Sequence, residues 1–276
     1  ITGKPSVRSA LDLMRRRALL HVPFVDSVGR LTGLVIAADL LNSPRVLESS
    51  VLIMAGGRGQ RLGRITESKP KPMVPIGERP LLQIIIERLV ASGFKDFFIS
   101  VGYLKSQIRD YFGDGSQWGI GITYLEESEP LGTAGALGLL PEGLRSPLAV
   151  VNGDVLTNMD PSNLLAFHNE RNASATLGVR EHALQIPFGV VESEQFSVTR
   201  ILEKPVVRRF VSAGVYVLEP EVIRNVPKGQ YLDMPDLLTD IIASGHKVSA
   251  FPLHEEWLDV GSPKNLDAAR REWMDL

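Results

Sequence analysis

From Val51 onward, short runs of uninterrupted apolar residues alternate with amphipathic stretches of helical spacing. The apolar runs are Val51–Ala55, Phe97–Val101, Ile122–Leu125 and Leu148–Val151, and the helical stretches are 80–91, 105–112, 134–139 and 161–170. A strand that is apolar at every position leaves no face for water. Helices must then cover both sides, which is the layering of a mostly parallel α/β sheet. After about residue 173 the pattern becomes β-rich, at Ala173–Arg180, Phe188–Val191, Val198–Leu202 and Val211–Leu218. Two further helices (234–244 and 263–275) flank a strand at Val248–Leu253. We expect one α/β domain over 51–276, built on a Rossmann-like mixed, mostly parallel sheet.

The preceding residues read differently. Over 6–20 the spacing predicts a helix with Val7, Leu11, Met14 and Ala18 on one stripe and Arg8, Arg15 and Arg16 off it. Strands at His21–Val25 and Leu31–Ile36 follow around a turn at Asp26–Arg30, then a short helix that stops before Asn42–Pro44. About 43 residues are too few for a secure core, so 1–43 is expected to be a small α+β appendage, joined by a linker at 44–50.

The 276 residues, 44% hydrophobic and 22% charged, exclude disordered, collagen-like and coiled-coil chains. Thirty basic against 32 acidic residues give a net charge of −2, which speaks against a general nucleic-acid or anionic-membrane binder. With no cysteine, disulfide scaffolds, thiolate zinc sites and cysteine nucleophiles are ruled out. No apolar run approaches the 18 or so residues of a membrane span. The chain begins at Ile1 with no charged-then-apolar leader, and we expect an incomplete N-terminus of a cytoplasmic protein.

The sharpest local feature is where the first apolar run meets Gly56-Gly57-Arg58-Gly59-Gln60-Arg61-Leu62-Gly63. Glycines at a strand's carboxyl end let backbone N–H groups cradle an anion. From Arg58 to Lys71 five cationic residues (Arg58, Arg61, Arg64, Lys69, Lys71) face one acid, Glu67; in a nearly neutral chain, phosphate is the natural partner for that charge. A Walker loop is excluded because no Lys-Ser or Lys-Thr follows, and a dinucleotide fingerprint because its third glycine position is Leu62. Instead the chain reaches Pro70-Lys71-Pro72, which constrains the backbone on both sides of a lysine. Asp154 and Asp259 each close an apolar stretch, and acids at strand ends of open α/β sheets can hold a magnesium ion on substrate phosphates.

These segments resemble the sugar-1-phosphate nucleotidylyltransferases, whose strand–G-G-x-G-T-R-L and P-K-P-M signatures stand here as Gly56–Leu62 and Pro70–Met73, with Gln60 in place of Thr or Ser. The match extends over 51–261, through Pro130-Leu-Gly-Thr-Ala-Gly135, Asn152-Gly-Asp154, Pro187-Phe-Gly-Val-Val191, Glu203-Lys204-Pro205 and Trp257-Leu-Asp-Val-Gly261. Ser212-Ala213-Gly214 stands where relatives have Asn-Ala-Gly. The resemblance implies a GT-A-like fold and attack of a sugar 1-phosphate on the α-phosphorus of a nucleoside triphosphate. Within it, Arg61, Lys71 and Asp154 are expected to be catalytic. Ala55, Gly56, Gly57, Gly59, Gly132, Thr133 and Asp154 are expected to bind the nucleotide, and Gly189, Glu203, Lys204, Ser212 and Gly214 the sugar phosphate. Asp154 and Asp259 would hold Mg2+ or Mn2+. Among bases, the Leu-Gly-Thr-Ala-Gly loop is most similar to that of guanylyltransferases acting on mannose-, glucosamine- or heptose-type 1-phosphates, with uridylyl- or thymidylyltransferase as the alternative.

Val22–Leu40 resembles the second half of a cystathionine-β-synthase-type (CBS) repeat, with Asp39 matching and Ile36 replacing the usual Thr or Ser. A glycosyltransferase is disfavoured because Asp154-Val-Leu lacks a second acid, and a non-catalytic nucleotide-sugar sensor because the loop arginine, lysine and aspartates are all kept. The partners expected are the two substrates, with no nucleic acid and no membrane; homo-oligomers are allowed. The five histidines show no metal spacing, and Trp118, Trp257 and Trp273 read as core or rim.

Overall fold

The computed structural model of the protein describes residues 2, 7–17, 19–36 and 46–273. The chain divides into two compact units, Ile1–Arg45 and Val46–Leu276.

In the first unit, helix α1 (Val7–Arg17) precedes an antiparallel pair, β1 (His21–Val25) and β2 (Leu31–Ile36). The Asp26 carboxylate ties the connecting turn by accepting the Val28 and Arg30 N–H groups at 3.0 and 2.9 Å, the short-range bonding that suits Asp to turns. Ala10, Met14 and Val22 are buried. Ala18, the expected second helix and Asp39 lie outside the described residues.

The second unit begins at β3 (Val51–Met54), followed by 3-10 turns at Gln60–Thr66 and Lys71–Met73 and a small ribbon of β4 (Pro75–Ile76) and β5 (Arg79–Pro80). Then come α2 (Leu81–Ala91), β6 (Asp96–Val101), α3 (Lys105–Phe112), β7 (Gly121–Glu126), β8 (Leu148–Asn152), β9 (Val155–Thr157) and α4 (Pro161–Arg171). The chain continues with β10 (Ala175–Gln185), β11 (Gly189–Glu194), β12 (Ser197–Glu203), β13 (Val206–Leu218), α5 (Pro220–Arg224), α6 (Met234–Ala243), β14 (Val248–Pro252), β15 (Trp257–Asp259) and α7 (Pro263–Glu272).

Among the described residues, seven strands form the central sheet in the order β14-β10-β13-β8-β3-β6-β7. The pairs β3–β6, β3–β8, β6–β7 and β10–β14 are parallel, while β10–β13 and β13–β8 are antiparallel. Successive side chains point to opposite faces of a strand, so β3 and β8 feed two cores. Val51, Ile53, Ala149 and Val151 pack with Leu82, Ile86, Ile108, Leu164 and Leu266 on one face. Leu52, Leu148 and Val150 pack with Val222, Met234 and Leu238 on the other. Burial on both faces explains why these strands read as continuous apolar runs.

Three elements differ from expectation. The stretch 134–139 is a 3-10 turn, Gly135–Leu139, rather than an α-helix. Its two glycines press against the Gln230 and Pro227 carbonyls, where a Cβ would come within 2.5 and 2.6 Å. Strands β10 and β13 run further than their apolar cores, to Gln185 and from Val206, as an exposed two-stranded extension. The hairpin β11–β12 forms its own two-stranded sheet. His168 is wholly buried between the Thr176 hydroxyl (2.9 Å) and the Glu219 carboxylate (3.1 Å), a satisfied core histidine. Among the described residues no helix is long and apolar enough to cross a membrane.

Candidate active site

The carboxyl ends of β3, β6, β7 and β8 converge, and the loops leaving them line a cavity of about 360 Å3. Ligands in open α/β sheets collect at such an edge. Ala55, Gly56, Gly57, Lys71, Gly132, Thr133 and Asp154 all border it. A second cavity of about 440 Å3 shares Gly57, Arg58, Lys71, Pro130 and Asp154 with the first and adds Gly59, Gln60, Arg61 and Gly261. One cleft thus holds the expected catalytic and nucleotide residues.

The glycine loop is shaped by its neighbours. Gly59 has φ +65°, in the left-handed region that favours glycine, and a Cβ there would come within 2.8 Å of the Lys71 Cβ. Its carbonyl accepts the Thr66 hydroxyl at 2.9 Å and the Leu62 N–H at 3.0 Å. Gly56 lies against a side chain instead: a Cβ on it would stand 2.3 Å from Glu127 Oε1, so the Glu127 carboxylate would have to move aside. Glu127 lines the cavity and its Oε2 accepts the Leu131 N–H at 3.2 Å.

Lys71 is buried and its ammonium donates to Asp154 Oδ2. Asp154 sits in the turn between β8 and β9, and Asp259 ends β15, whose ladder with β9 pairs Asp259 with Val155. Asp259 is half-buried with Oδ1 unpartnered. Burial pushes its carboxyl above the usual range and the Asp154 charge adds to this, against Lys71 and Arg61. The Asp259 carboxylate and the Arg61 guanidinium converge on Gly261, where a Cβ would lie 2.9 Å from Asp259 Oδ1 and 3.0 Å from Arg61 Nη2. Among the described residues no cluster of three or more His, Cys, Asp or Glu forms. Two carboxylates nevertheless suit magnesium, which keeps phosphate and water in its remaining positions. An orphaned, desolvated carboxylate oxygen beside a second acid is the environment a divalent cation would relieve.

The expected sugar residues fall into two groups, neither bordering these cavities. Gly189 and Glu203 are register partners in the β11–β12 hairpin, and Lys204, at φ +45°, follows at its base, where its N–H donates to the Phe188 carbonyl at 3.3 Å. Lys204 and Glu203 approach to 4.0 Å and are exposed. Ser212 and Gly214 lie at the irregularity in the β10–β13 ladder, where Ser212 Oγ and the Tyr216 hydroxyl are 2.8 Å apart. Burial raises the Tyr216 pKa, the Ser212 bond opposes this and the Asp154 charge reinforces it. Gly214 abuts Asn152, a wall residue of the first cavity, leaving only 2.8 Å between a Cβ and Asn152 Nδ2.

Glu127, Tyr231 and Asp233 line the first cavity without belonging to any motif read from the sequence, and Asn152 lines it as the first residue of the Asn152-Gly-Asp154 motif, with no role of its own expected. Glu127 stands three residues ahead of Pro130 and was open to recognition. Asp233 lies a hundred residues from the loop it touches, and no local spacing announces it.

A seven-stranded, mostly parallel sheet with a glycine loop, a buried lysine and two strand-end aspartates at its carboxyl edge defines an open α/β protein with a charged cleft at that edge. The chain belongs to the nucleotidyl transferase family, whose model matches residues 50–275. It is similar to the UTP–glucose-1-phosphate uridylyltransferase of Synechocystis sp., 32% identical across 76% of this chain and 59% of that protein. It is also similar to the mannose-1-phosphate guanylyltransferase of Mycobacterium tuberculosis, 34% identical across 78% and 61%. The chain therefore spans about three fifths of the length of these relatives. A crystal structure of a candidate glucose-1-phosphate thymidylyltransferase from Bacillus anthracis shares the fold, with TM-score 0.68 and 22% identity over 83% of this chain and 96% of that one.

Proposed function

We propose that the chain joins a sugar 1-phosphate to a nucleoside triphosphate, giving a nucleotide-sugar and pyrophosphate, with GTP and a mannose-type 1-phosphate as the preferred pair. The observation carrying this reading is the continuous cleft: the glycine loop and Arg61 open from one side of Lys71–Asp154, and the Gly132–Thr133 loop from the other. A phosphate oxygen of the sugar 1-phosphate attacks the α-phosphorus. The bond from that phosphorus to the bridging oxygen breaks, and pyrophosphate leaves with the electron pair. The attacking phosphate is already ionised at neutral pH, so no general base is needed and positioning with charge neutralisation carries the rate.

Arg61 and the backbone N–H groups of Gly56, Gly57 and Gly59 hold the leaving pyrophosphate. Lys71 reaches the α-phosphate, exchanging its contact with Asp154. Lys204 steers the attacking phosphate, while Glu203, Gly189, Ser212 and Gly214 meet sugar hydroxyls. Asp154 and Asp259 would hold Mg2+ or Mn2+, which when bound neutralises charge on the nucleotide phosphates.

Glu127 favours guanine. A carboxylate only accepts hydrogen bonds, and guanine offers adjacent N1–H and N2–H donors, whereas uracil and thymine offer one N–H between two carbonyl oxygens. The Synechocystis relative keeps UTP as the alternative. The same reading includes a CBS-type origin for residues 1–43, the nucleotidyltransferase domain at 51–276, and a cytoplasmic location where nucleoside triphosphates are supplied.

The test is pyrophosphate release with magnesium, across five nucleoside triphosphates and a panel of sugar 1-phosphates. Release dependent on GTP and one sugar phosphate is expected. Nucleotide-sugar binding without release under any pairing would instead mark a sensor.

A further inference from the structure

The segment Tyr231–Met234 threads the Leu131–Gly135 loop with bonds from both backbone and side chain. Leu232 donates its N–H to the Leu131 carbonyl at 3.0 Å, and its carbonyl accepts the Ala134 and Gly135 N–H groups at 2.9 and 3.1 Å. The Asp233 Oδ1 accepts both the Thr133 N–H at 2.9 Å and the Thr133 hydroxyl at 3.1 Å, and Thr133 Oγ1 accepts the Met234 N–H at 2.8 Å. The other carboxylate oxygen accepts the Tyr231 hydroxyl at 2.7 Å. Gly132 lies against the same segment, with φ +76° and space for a Cβ closed to 2.6 Å by the Leu232 carbonyl. All four of Gly132, Thr133, Tyr231 and Asp233 face the 360 Å3 cavity.

A loop of small residues has little side-chain packing to hold its backbone. Its shape at the cavity wall depends on what grips it, and here one carboxylate takes three donors. We infer that Asp233 is a positioning residue for the base: through Thr133 it fixes the Gly132–Thr133 backbone at the wall where the base docks, and so sets nucleotide affinity and base choice. This rests on the reading of that loop as the base end of the cleft. The carboxylate does not touch the reacting phosphates, so its effect belongs to nucleoside binding and not to the phosphate loop.

The experiment is titration calorimetry of the full chain with GTP, UTP and inorganic tripolyphosphate, on wild type, Asp233→Ala and Asp233→Asn, with melting temperatures recorded alongside. Asp233→Ala is expected to weaken GTP at least tenfold and to narrow the GTP/UTP ratio, leaving tripolyphosphate unchanged. Asp233→Asn keeps an acceptor for Thr133 and is expected to recover GTP affinity to within about threefold of wild type. Unchanged GTP affinity in Asp233→Ala, a parallel loss for tripolyphosphate, or no nucleotide binding by wild type overturns the inference. If the alanine variant fails to fold, the asparagine variant decides: a collapse of its GTP affinity matched by tripolyphosphate overturns it equally. Nucleotide binding with these dependences but no pyrophosphate release would sink the transferase reading alone and leave the clamp standing.

Discussion

The Lys71 ammonium and the Asp154 carboxylate, 83 residues apart in sequence, form an ion pair on the wall shared by the two halves of the cleft. Lys71 comes from the turn after the glycine loop and Asp154 from the turn between β8 and β9, so the pair joins two turns that the sequence keeps far apart. Under the proposed function, exchange of this contact for phosphate and a cation would give each partner a role in turnover beyond stability. Lys71→Met is expected to lower kcat by at least about 100-fold, the scale of removing one preorganised charge partner. Asp154→Asn is expected to abolish pyrophosphate release while circular dichroism and cooperative melting stay native. Normal release by a folded Asp154→Asn protein would remove it from the metal site.

Gly132→Ala combines two penalties that can be separated. A residue with a Cβ at φ +76° is strained, and here it also meets the Leu232 carbonyl. Gly229, at φ +69° with nothing within 4 Å of a Cβ, carries the strain alone. Urea denaturation should give a loss of about 1–2 kcal/mol for Gly229→Ala and a clearly larger one for Gly132→Ala. Equal losses would mean that the loop yields to the added methyl without cost.

The sheet was readable because burial on both faces writes itself into sequence as unbroken apolar runs, and Val51–Met54 and Leu148–Asn152 were located to within one residue. The 3-10 turn at Gly135–Leu139 was not, because its cause is the approach of carbonyls from Pro227 and Gln230 about ninety residues away. The same holds for the candidate site. Gly56, Lys71 and Asp154 belong to short contiguous motifs, whereas Asp233 matters only through a contact that folding creates. The extensions of β10 and β13 are illegible for a second reason. Exposed on both faces, they carry no burial pattern to read.

The Asp233 clamp has a pH signature. The Tyr231 hydroxyl, then the Thr133 N–H, hold this carboxyl below its ordinary range. A depressed folded pKa contributes stability that is fully present above the unfolded value, near 3.9, and is lost as pH falls through the lower folded value. The stability gap between wild type and Asp233→Asn should therefore stay level from pH 5 to 8 and close below about pH 4. A gap that changes between pH 6 and 8 would assign the dependence to another group.

Trp257 links the strand carrying Asp259 to the irregular turn of β13. Its indole N–H donates to the Ala213 carbonyl at 2.7 Å, its own carbonyl accepts Arg180 Nη1 at 2.9 Å, and its backbone pairs with Thr157. Ala213 lies between Ser212 and Gly214, so the indole bond sets how the backbone of that turn, assigned to the sugar under the proposed function, is presented. Trp257→Phe keeps most of the ring's packing and leaves the Ala213 carbonyl without this donor, at a cost of about 1–3 kcal/mol. The kinetic expectation is directional: the KM for the sugar 1-phosphate rises roughly tenfold, equivalent to about 1.4 kcal/mol, with the nucleotide KM near wild type. Steady-state kinetics with each substrate varied in turn would show the split, and a rise confined to the nucleotide KM would detach the Ser212–Gly214 turn from the sugar.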